Sequence, residues 1–198
     1  MKLWLVVPVK PFAEGKSRLA TVLSWQQRRG LNHYLFHNLL AQAEAAQVFT
    51  GVVVVGRDPQ VVAGVEWGQV FFEQEEKQSL NEALEQGRRR ALLQGAEAIL
   101  ILPADLPLLT VGDIVQLYKL GRTQPSMVIA PSHDGGTNAL LLHPPHMIPF
   151  AFGEQSFSRH CSLADAVRLT YQIYKSPSLS FDLDWPKDLA QLAMLRNK

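Results

Sequence analysis

The segment Ile99-Leu100-Ile101-Leu102-Pro103-Ala104-Asp105-Leu106-Pro107-Leu108-Leu109 decides the fold class of this chain. Its first four residues are apolar and two of them are β-branched, which is typical of a buried strand. Pro103 ends that strand because proline has no N–H to donate to a sheet. Asp105 follows just beyond the carboxyl end of the strand, where open α/β sheets bind their ligands. A carboxylate held between two prolines suits a magnesium site, although an aspartate that only caps the next turn would fit the same pattern.

Apolar segments of strand length alternate with helical segments over the first two-thirds of the chain. Leu3–Val9 and Gly51–Gly56 are continuous apolar runs, which are typical of strands covered on both faces. The alternation predicts a single α/β domain over residues 1–198, with a mostly parallel sheet and helices on both faces. After Ala130, a glycine-rich turn and a further apolar segment predict an antiparallel excursion, which we interpret as an insertion near the active edge.

Helix boundaries are indicated by capping residues. Ser24 and Gln27 form a capping box at the start of a long helix, and Gly95 suits the end of a helix that precedes the central strand. The tail predicts a strand near Phe181 and a closing helix from Pro186.

Composition limits the class of protein. With 198 residues, 47% of them hydrophobic, the chain can bury a sizeable core. A net charge of +1 gives no reason to expect nucleic acid or an anionic membrane as a partner. The single cysteine, Cys161, excludes an intrachain disulfide, and the apolar run Leu3–Val7 is too short for a signal peptide or a membrane span. We therefore expect a cytoplasmic protein.

The loop Lys10–Leu19 carries three cations, which are Lys10, Lys16 and Arg18. Gly15-Lys16-Ser17 ends like a phosphate-binding P-loop, but that motif requires a glycine at position 10, so the P-loop interpretation fails. Three cations after the first strand can still neutralise a triphosphate, because a close charge pair is worth about 4 kcal/mol at an intermediate dielectric. A solvated basic loop is the alternative.

Two carboxylates lie in the tail. Strand alternation would place Asp182 and Asp184 on one face, where both could point toward Asp105. Carboxylates that converge from separate segments suit Mg²⁺ held between protein and phosphate oxygens. The alternative is that Asp184 caps the last helix, ahead of Pro186.

A small-anion site is the third candidate. Gly135–Asn138 is a glycine-rich turn with a hydroxyl, and Gly153–Ser156 begins a predicted helix with a hydroxyl and free N–H groups. An ordinary hairpin turn and an ordinary helix start would look the same. The six histidines show no metal-ligand spacing and Cys161 has no evident base, so zinc and cysteine-nucleophile chemistry are set aside.

Taken together, these stretches resemble the phospholactate guanylyltransferases nearly from end to end. The motifs that carry the resemblance are Val7-Pro8-Val9-Lys10-Pro11, Lys16-Ser17-Arg18-Leu19, Leu80-Asn81-Glu82-Ala83-Leu84, Leu102-Pro103-Ala104-Asp105-Leu106-Pro107, Gly136-Thr137-Asn138-Ala139-Leu140, Pro149-Phe150-Ala151-Phe152-Gly153 with Ser156-Phe157, and Asp182-Leu183-Asp184. The resemblance implies a nucleotide-diphospho-sugar transferase-like fold, similar to molybdenum-cofactor guanylyltransferases. It also implies that GTP and a small phosphorylated acid react, with Mg²⁺ as cofactor and release of pyrophosphate. A role in coenzyme F-420 synthesis and a homodimer are implied as well.

The resemblance also assigns roles to individual residues. The nucleotide-binding residues are Pro8, Lys10, Lys16, Ser17, Arg18 and Asn81. Those that hold the acid are Thr137, Gly153 and Ser156. The catalytic residues are Lys16, Arg18 and Asp105, and the metal ligands are Asp105 and Asp184. Trp185 stands where related nucleotidyltransferases usually have threonine, so Asp182 remains an alternative second ligand.

The implied reaction is a direct in-line attack of the acid's phosphate on the α-phosphorus of GTP. It needs no covalent intermediate and no general base, because a phosphate is already an anion near neutral pH. The identity of the acid stays open among 2-phospho-L-lactate, phosphoenolpyruvate and 3-phosphoglycerate. A molybdopterin or sugar-1-phosphate nucleotidyltransferase is the alternative enzyme, and a non-catalytic nucleotide-binding regulator is the alternative from another class.

Overall fold

A computed structural model describes residues 1–77, 79–123 and 125–196, which form one seven-stranded sheet with helices on both faces. The strands are β1 (Leu3–Val9), β2 (Phe49–Gly56), β3 (Val70–Gln74), β4 (Ala98–Ile101), β5 (Ser126–Pro131), β6 (Thr137–His143) and β7 (Tyr171–Ile173). Their order across the sheet is β3-β2-β1-β4-β6-β5-β7, and β6 is antiparallel to both of its neighbours. The mostly parallel α/β sheet is therefore confirmed.

The helices begin where the sequence offers caps. They are α1 (Trp25–Ala46), α2 (Leu80–Leu93), α3 (Val111–Leu120), α4 (Ser156–Ala166), α5 (Pro177–Ser180) and α6 (Pro186–Arg196), with short 3-10 helices at Ser17–Thr21 and Pro59–Val62. The Ser24 hydroxyl accepts from the Gln27 N–H and the Gln27 side chain accepts from the Ser24 N–H, which confirms the predicted capping box. In the ranges described, no helix is long and apolar enough to cross a membrane.

The alternation along β1 explains why helices cover both faces. Leu3, Leu5 and Val7 point into a core formed with α1 and α3, whereas Trp4 and Val6 point into a core formed with α2 and α4. All five side chains are buried. A strand with apolar residues on both faces must be covered on both sides, as the unbroken apolar run predicted.

Helix α2 packs against the sheet at unusually close range. A Cβ added at Gly87 would lie 2.6 Å from Cγ1 of Val6 and 2.9 Å from Cγ2 of Val55. Glycine is therefore required sterically at this position, and it lets the helix lie directly on β1 and β2.

The antiparallel excursion predicted after Ala130 is confirmed, and its strand β6 is inserted in the middle of the sheet, between β4 and β5. Strand β6 pairs with β4 from Ile99↔Leu142 to Ile101↔Leu140 and also pairs with β5. Every residue of β6 is buried, so the strand needs neighbours on both edges and cover on both faces. Because β6 runs against β4, its first residue, Thr137, lies at the same edge as the carboxyl ends of β1 and β4.

The strand predicted near Phe181 is absent. After α5, residues 181–184 are extended outside the sheet, and the Leu183 N–H donates to the Asp105 carbonyl at 3.1 Å. Phe181 and Leu183 are buried in a third apolar cluster with Leu19 and Leu192. The alternating pattern therefore reflects packing of the tail on the basic loop, and not pairing with a sheet strand.

Candidate active site

A cleft of about 590 Å³ opens at the carboxyl ends of β1, β2 and β4 and beside the first turns of α2. Four of the predicted site residues line it, namely Pro8, Lys10, Lys16 and Asp105. This is the position at which open α/β sheets bind their ligands. The strand ends therefore bring the basic loop and the central aspartate together, as the sequence predicts.

Lys16 lies between two carboxylates at one end of the cleft. Its Nζ is 3.0 Å from Oδ2 of Asp105 and 2.9 Å from Oδ1 of Asp184. Only 8% of the Lys16 side chain is exposed, against 29% for Asp105 and 34% for Asp184. Burial lowers the pKa of the Lys16 ammonium, but the two carboxylates outweigh burial and hold that pKa above its ordinary value. Lys16 is therefore charged and fixed in place.

The basic loop is held in shape by α1. Lys16 has a left-handed backbone conformation, with φ 56°, just before the short 3-10 helix that begins at Ser17. A Cβ at Gly15 would lie 2.5 Å from Nδ2 of Asn32, and that amide donates to the Phe12 carbonyl at 2.7 Å. A larger residue at position 15 would therefore have to displace the Asn32 amide from the Phe12 carbonyl.

Asp105 is not a cap in the structure. Among the described residues, the hydrogen bond of its side chain is to Lys16, and its carbonyl accepts from Leu183. Asp184 is not the cap of α6 either, because Oδ2 of Asp188 accepts from the N–H groups of Asp184 and Trp185. Both capping alternatives are therefore excluded, and both carboxylates accept a hydrogen bond from Lys16.

Arg18 lies beside this pair, at the surface. Its Nη1 donates to Oδ2 of Asp184 at 3.2 Å, and its guanidinium stacks over the Trp185 ring at 4.6 Å. The Trp185 ring therefore supports the arginine next to Asp184.

Asp182 faces a different set of partners. Its Oδ1 is 3.4 Å from Nδ2 of Asn138 and 3.2 Å from Nδ1 of His133. Burial raises the pKa of the Asp182 carboxyl, and the charge of Asp105 adds to the increase. The structure thus places Asp184, and not Asp182, on the same cation as Asp105.

The pair Asp105 and Asp184 fits a divalent cation chemically. Carboxylate oxygens are the ligands that Mg²⁺ prefers, and the ammonium of Lys16 already lies between these two groups as a cation. Within the described ranges, no three His, Cys, Asp or Glu side chains are grouped to enclose a metal. The donor set therefore suits an ion completed by phosphate oxygens and water, and not a closed protein cage.

The predicted acid-binding residues form a buried chain of hydroxyls at the start of β6 and α4. Oγ of Ser156 donates to Oγ1 of Thr137 at 3.1 Å, and Oγ1 of Thr137 is 3.1 Å from Nδ1 of His160. Nε2 of His160 accepts from the Ala151 N–H at 3.0 Å. The Ser156 N–H donates to the Gly153 carbonyl at 3.1 Å and the Phe157 N–H to the Gly135 carbonyl at 3.2 Å. The three predicted residues therefore lie together, but these N–H groups are not free as the sequence predicted.

His160 fixes the direction of this chain. Burial, with the charge of Arg159, lowers the pKa of the His160 imidazole to about 4, so the ring is neutral near pH 7. Since Nε2 accepts from Ala151, the proton of the neutral ring is on Nδ1, which faces both the Thr137 hydroxyl and the Ser156 carbonyl. Where Nδ1 donates to Thr137, the Thr137 oxygen accepts from both His160 and Ser156, and its own proton is left to donate to a ligand.

Asn81 does not line the cleft directly. Its Nδ2 donates to the Phe152 carbonyl at 3.1 Å, and its Oδ1 accepts from the Phe152 N–H at 2.7 Å. Both ends of the amide are thus engaged, and the residue anchors Phe152, whose side chain lines the cleft.

Three residues of this region were missed by sequence reasoning: His160, Arg57 and Glu75. His160 lies four residues after Ser156, a spacing that places both on one face of α4, and this was the available signal. Arg57 and Glu75 directly follow β2 and β3, so the position after a strand end was the signal there.

The comparisons with known proteins agree with this geometry. Residues 3–198 match the family described as "Guanylyl transferase CofC like". A phosphoenolpyruvate guanylyltransferase from Rubrobacter xylanophilus is 40% identical over 97% of this chain and 94% of its own length. A 2-phospho-L-lactate guanylyltransferase from Methanocaldococcus vulcanius is 34% identical over 95% of this chain and 83% of its own length.

The fold is shared with a crystal structure from Desulfovibrio desulfuricans G20, provisionally described as a nucleotide-diphospho-sugar transferase. The TM-score is 0.80 at 15% identity, and the match covers 100% of this chain and 89% of that one. With the family match over nearly the whole length, the chain belongs to the CofC-like guanylyl transferases.

Proposed function

We propose that this protein transfers GMP from GTP to a small phosphorylated acid, releases pyrophosphate, and thereby supplies an activated acid for coenzyme F-420 synthesis. The observation that carries the proposal is the Lys16 ammonium held between Asp105 and Asp184 at one end of the cleft. A triphosphate needs cations at this point, and a metal needs carboxylates. The homodimer and the cytoplasmic location stay predictions.

The protein's own groups account for the charge that develops during transfer. A phosphate oxygen of the acid attacks the α-phosphorus, and the bond from that phosphorus to the β-phosphate oxygen breaks as pyrophosphate leaves. Lys10 and Lys16, which line the cleft, neutralise the phosphate oxygens. Asp105 and Asp184 would hold Mg²⁺, which when bound supplies further charge neutralisation.

The acid binds in this proposal at the start of β6 and α4. The Thr137 hydroxyl has a proton to donate, and a carboxylate or phosphate oxygen of the acid is a matching acceptor. Because β6 runs against β4, this hydroxyl lies at the same edge of the sheet as the nucleotide cleft. Phosphoenolpyruvate is the acid we favour, since the relative at 40% identity bears that name.

The test is a pyrophosphate-release assay with GTP and each of three acids: phosphoenolpyruvate, 2-phospho-L-lactate and 3-phosphoglycerate. We expect turnover that requires GTP, Mg²⁺ and one preferred acid, with a GDP-linked acid as the second product by ³¹P NMR. Equal kcat/KM for ATP and GTP, or no turnover with any of the acids, would contradict the proposal.

Asp105→Asn separates catalysis from folding. Asparagine keeps the size and one acceptor oxygen but loses the charge that a hard cation needs, so turnover should fall about a thousandfold or more. Asp165→Asn is the matched control, because Asp165 is an exposed carboxylate on α4. An Asp105→Asn variant with turnover within about tenfold of wild type would remove Asp105 from the site.

A further inference from the structure

The end of the cleft away from Asp105 carries a second set of charges. Arg57 and Glu75 follow the ends of β2 and β3, and both line the cleft. Since neighbouring strands are about 4.8 Å apart, these residues lie roughly 10–15 Å from the end of β4, across two or three strands. A nucleotide whose phosphates lie near Asp105 would place its base at this distance.

The wall between the two ends is apolar. Val55, Ala83, Leu84 and Phe152 line this part of the cleft. Such a surface suits the flat faces of a purine. The polar edge of the purine would then lie at the end of the cleft that carries Arg57 and Glu75. The Asn81 amide next to this wall is bonded at both ends to the Phe152 backbone, and the residue does not line the cleft.

Of the carboxylates that line the cleft, Glu75 has the weakest ion-pair partner. Only 13% of its side chain is exposed, and its partner is Nε of Arg57 at 3.6 Å, beyond hydrogen-bond distance. Over the part of the chain that the structure describes, no donor makes a hydrogen bond to this carboxylate. Arg57 is held in turn by Glu14 through Nη2. A largely buried acceptor that faces a ligand cleft without a donor favours a ligand that brings donors.

We propose that Glu75 recognises the guanine base by accepting its hydrogen bonds, and that Arg57 positions the Glu75 carboxylate. This inference rests on the proposed use of GTP. Guanine presents two adjacent donors, N1–H and the 2-amino group, which match the two oxygens of one carboxylate. Adenine presents a lone pair at N1 instead, and its approach would place that lone pair against the carboxylate. Glu75 therefore both attracts guanine and repels adenine, which is how a buried polar group yields strong selectivity.

The test measures binding of GTP, ITP and ATP by calorimetry, without the acid, to wild type and to Glu75→Gln. ITP is guanosine triphosphate without the 2-amino group, so it removes one of the two donors. Wild type should bind GTP about 10- to 100-fold more tightly than ITP, as expected for a hydrogen bond to a charged group. Glu75→Gln should lower the affinity for GTP by about the same factor, so that GTP and ITP bind within about threefold of each other. It should also raise the affinity for ATP.

Two further variants keep the result interpretable. Glu76→Gln makes the same charge change at the next, exposed position and should leave all three affinities unchanged. Glu75→Asp keeps the charge but shortens the side chain, so it should fold as wild type and still lose GTP affinity. An unchanged preference for GTP over ITP in both Glu75 variants would overturn this assignment alone. A wild-type protein that binds no guanine nucleotide would overturn it together with the proposed function.

Discussion

His160 should make the stability of this protein depend on pH in a measurable way. In the folded protein, burial lowers the pKa of its imidazole to about 4, whereas the unfolded chain has a value of about 6.5. Between these two values the unfolded state binds a proton that the folded state does not, so the free energy of unfolding falls as pH falls. A difference of about 2.5 pKa units corresponds to about 3 kcal/mol. His160→Gln removes this contribution to the pH dependence, although it costs stability at pH 7 by breaking the bond from Ala151.

The measurement is urea unfolding, followed by tryptophan fluorescence from about pH 7.5 to about pH 4. Wild type should lose about 3 kcal/mol more than His160→Gln over this range, and the carboxylates that titrate in both proteins cancel in the comparison. His146→Gln is the control, because His146 is exposed, and its profile should follow that of wild type. Parallel profiles for wild type and His160→Gln would mean that His160 is not held neutral, and the hydroxyl chain would lose its fixed direction.

The remaining predictions concern the cleft and the packing of the helices. Lys16→Met should lower kcat at least a hundredfold and cost about 1–3 kcal/mol of unfolding free energy, because it leaves the partly buried Asp105 carboxylate without its partner and Asp184 with Arg18 alone; pyrophosphate release and urea unfolding check both. Ser156→Ala should raise the KM for the acid about tenfold or more and leave that for GTP nearly unchanged, and an unaltered acid KM would remove Ser156 from the site. Gly87→Ala should destabilise the fold by about 1–3 kcal/mol, since its Cβ would overlap two valines. Gly30→Ala, in the interior of α1 with open space around it, should stabilise by about 0.5–1 kcal/mol, and thermal unfolding of the two variants tests this contrast.

The elements of the fold follow from local patterns, but their order in the sheet does not. The Ser24 capping box, the buried run Leu3–Val9 and the end of β4 before Pro103 all depend on neighbouring residues and could be predicted from them. The place of β6 could not be predicted, because an apolar strand suits either edge of any other apolar strand. The extended tail at Phe181 has the alternation of a strand for another reason, its packing on Leu19.

The site follows the same division. Lys16 and Asp105 could each be predicted from the segment that contains it, whereas their contact joins positions that are 89 apart in the sequence. His160 and Glu75 have functions in our proposals only because of their surroundings. The His160 imidazole has no access to water, and the Glu75 carboxylate accepts no hydrogen bond from the described residues. A single histidine or glutamate has no sequence pattern that reveals such surroundings.

Among the described strands, β6 is the one that runs against its neighbours, and it separates the two binding functions that we propose for the sheet. The nucleotide cleft is built by the parallel strands β1, β2 and β4 with α2, whereas the hydroxyls for the acid come from β6 and α4. The two sets of side chains belong to different segments of the chain, which are joined where Asn81 of α2 holds Phe152, a cleft residue just before α4. If the acid binds as we propose, we expect substitutions on β6 and α4 to change which acid is used with little effect on the binding of GTP. This independence explains how a single scaffold could serve relatives named for different phosphorylated acids.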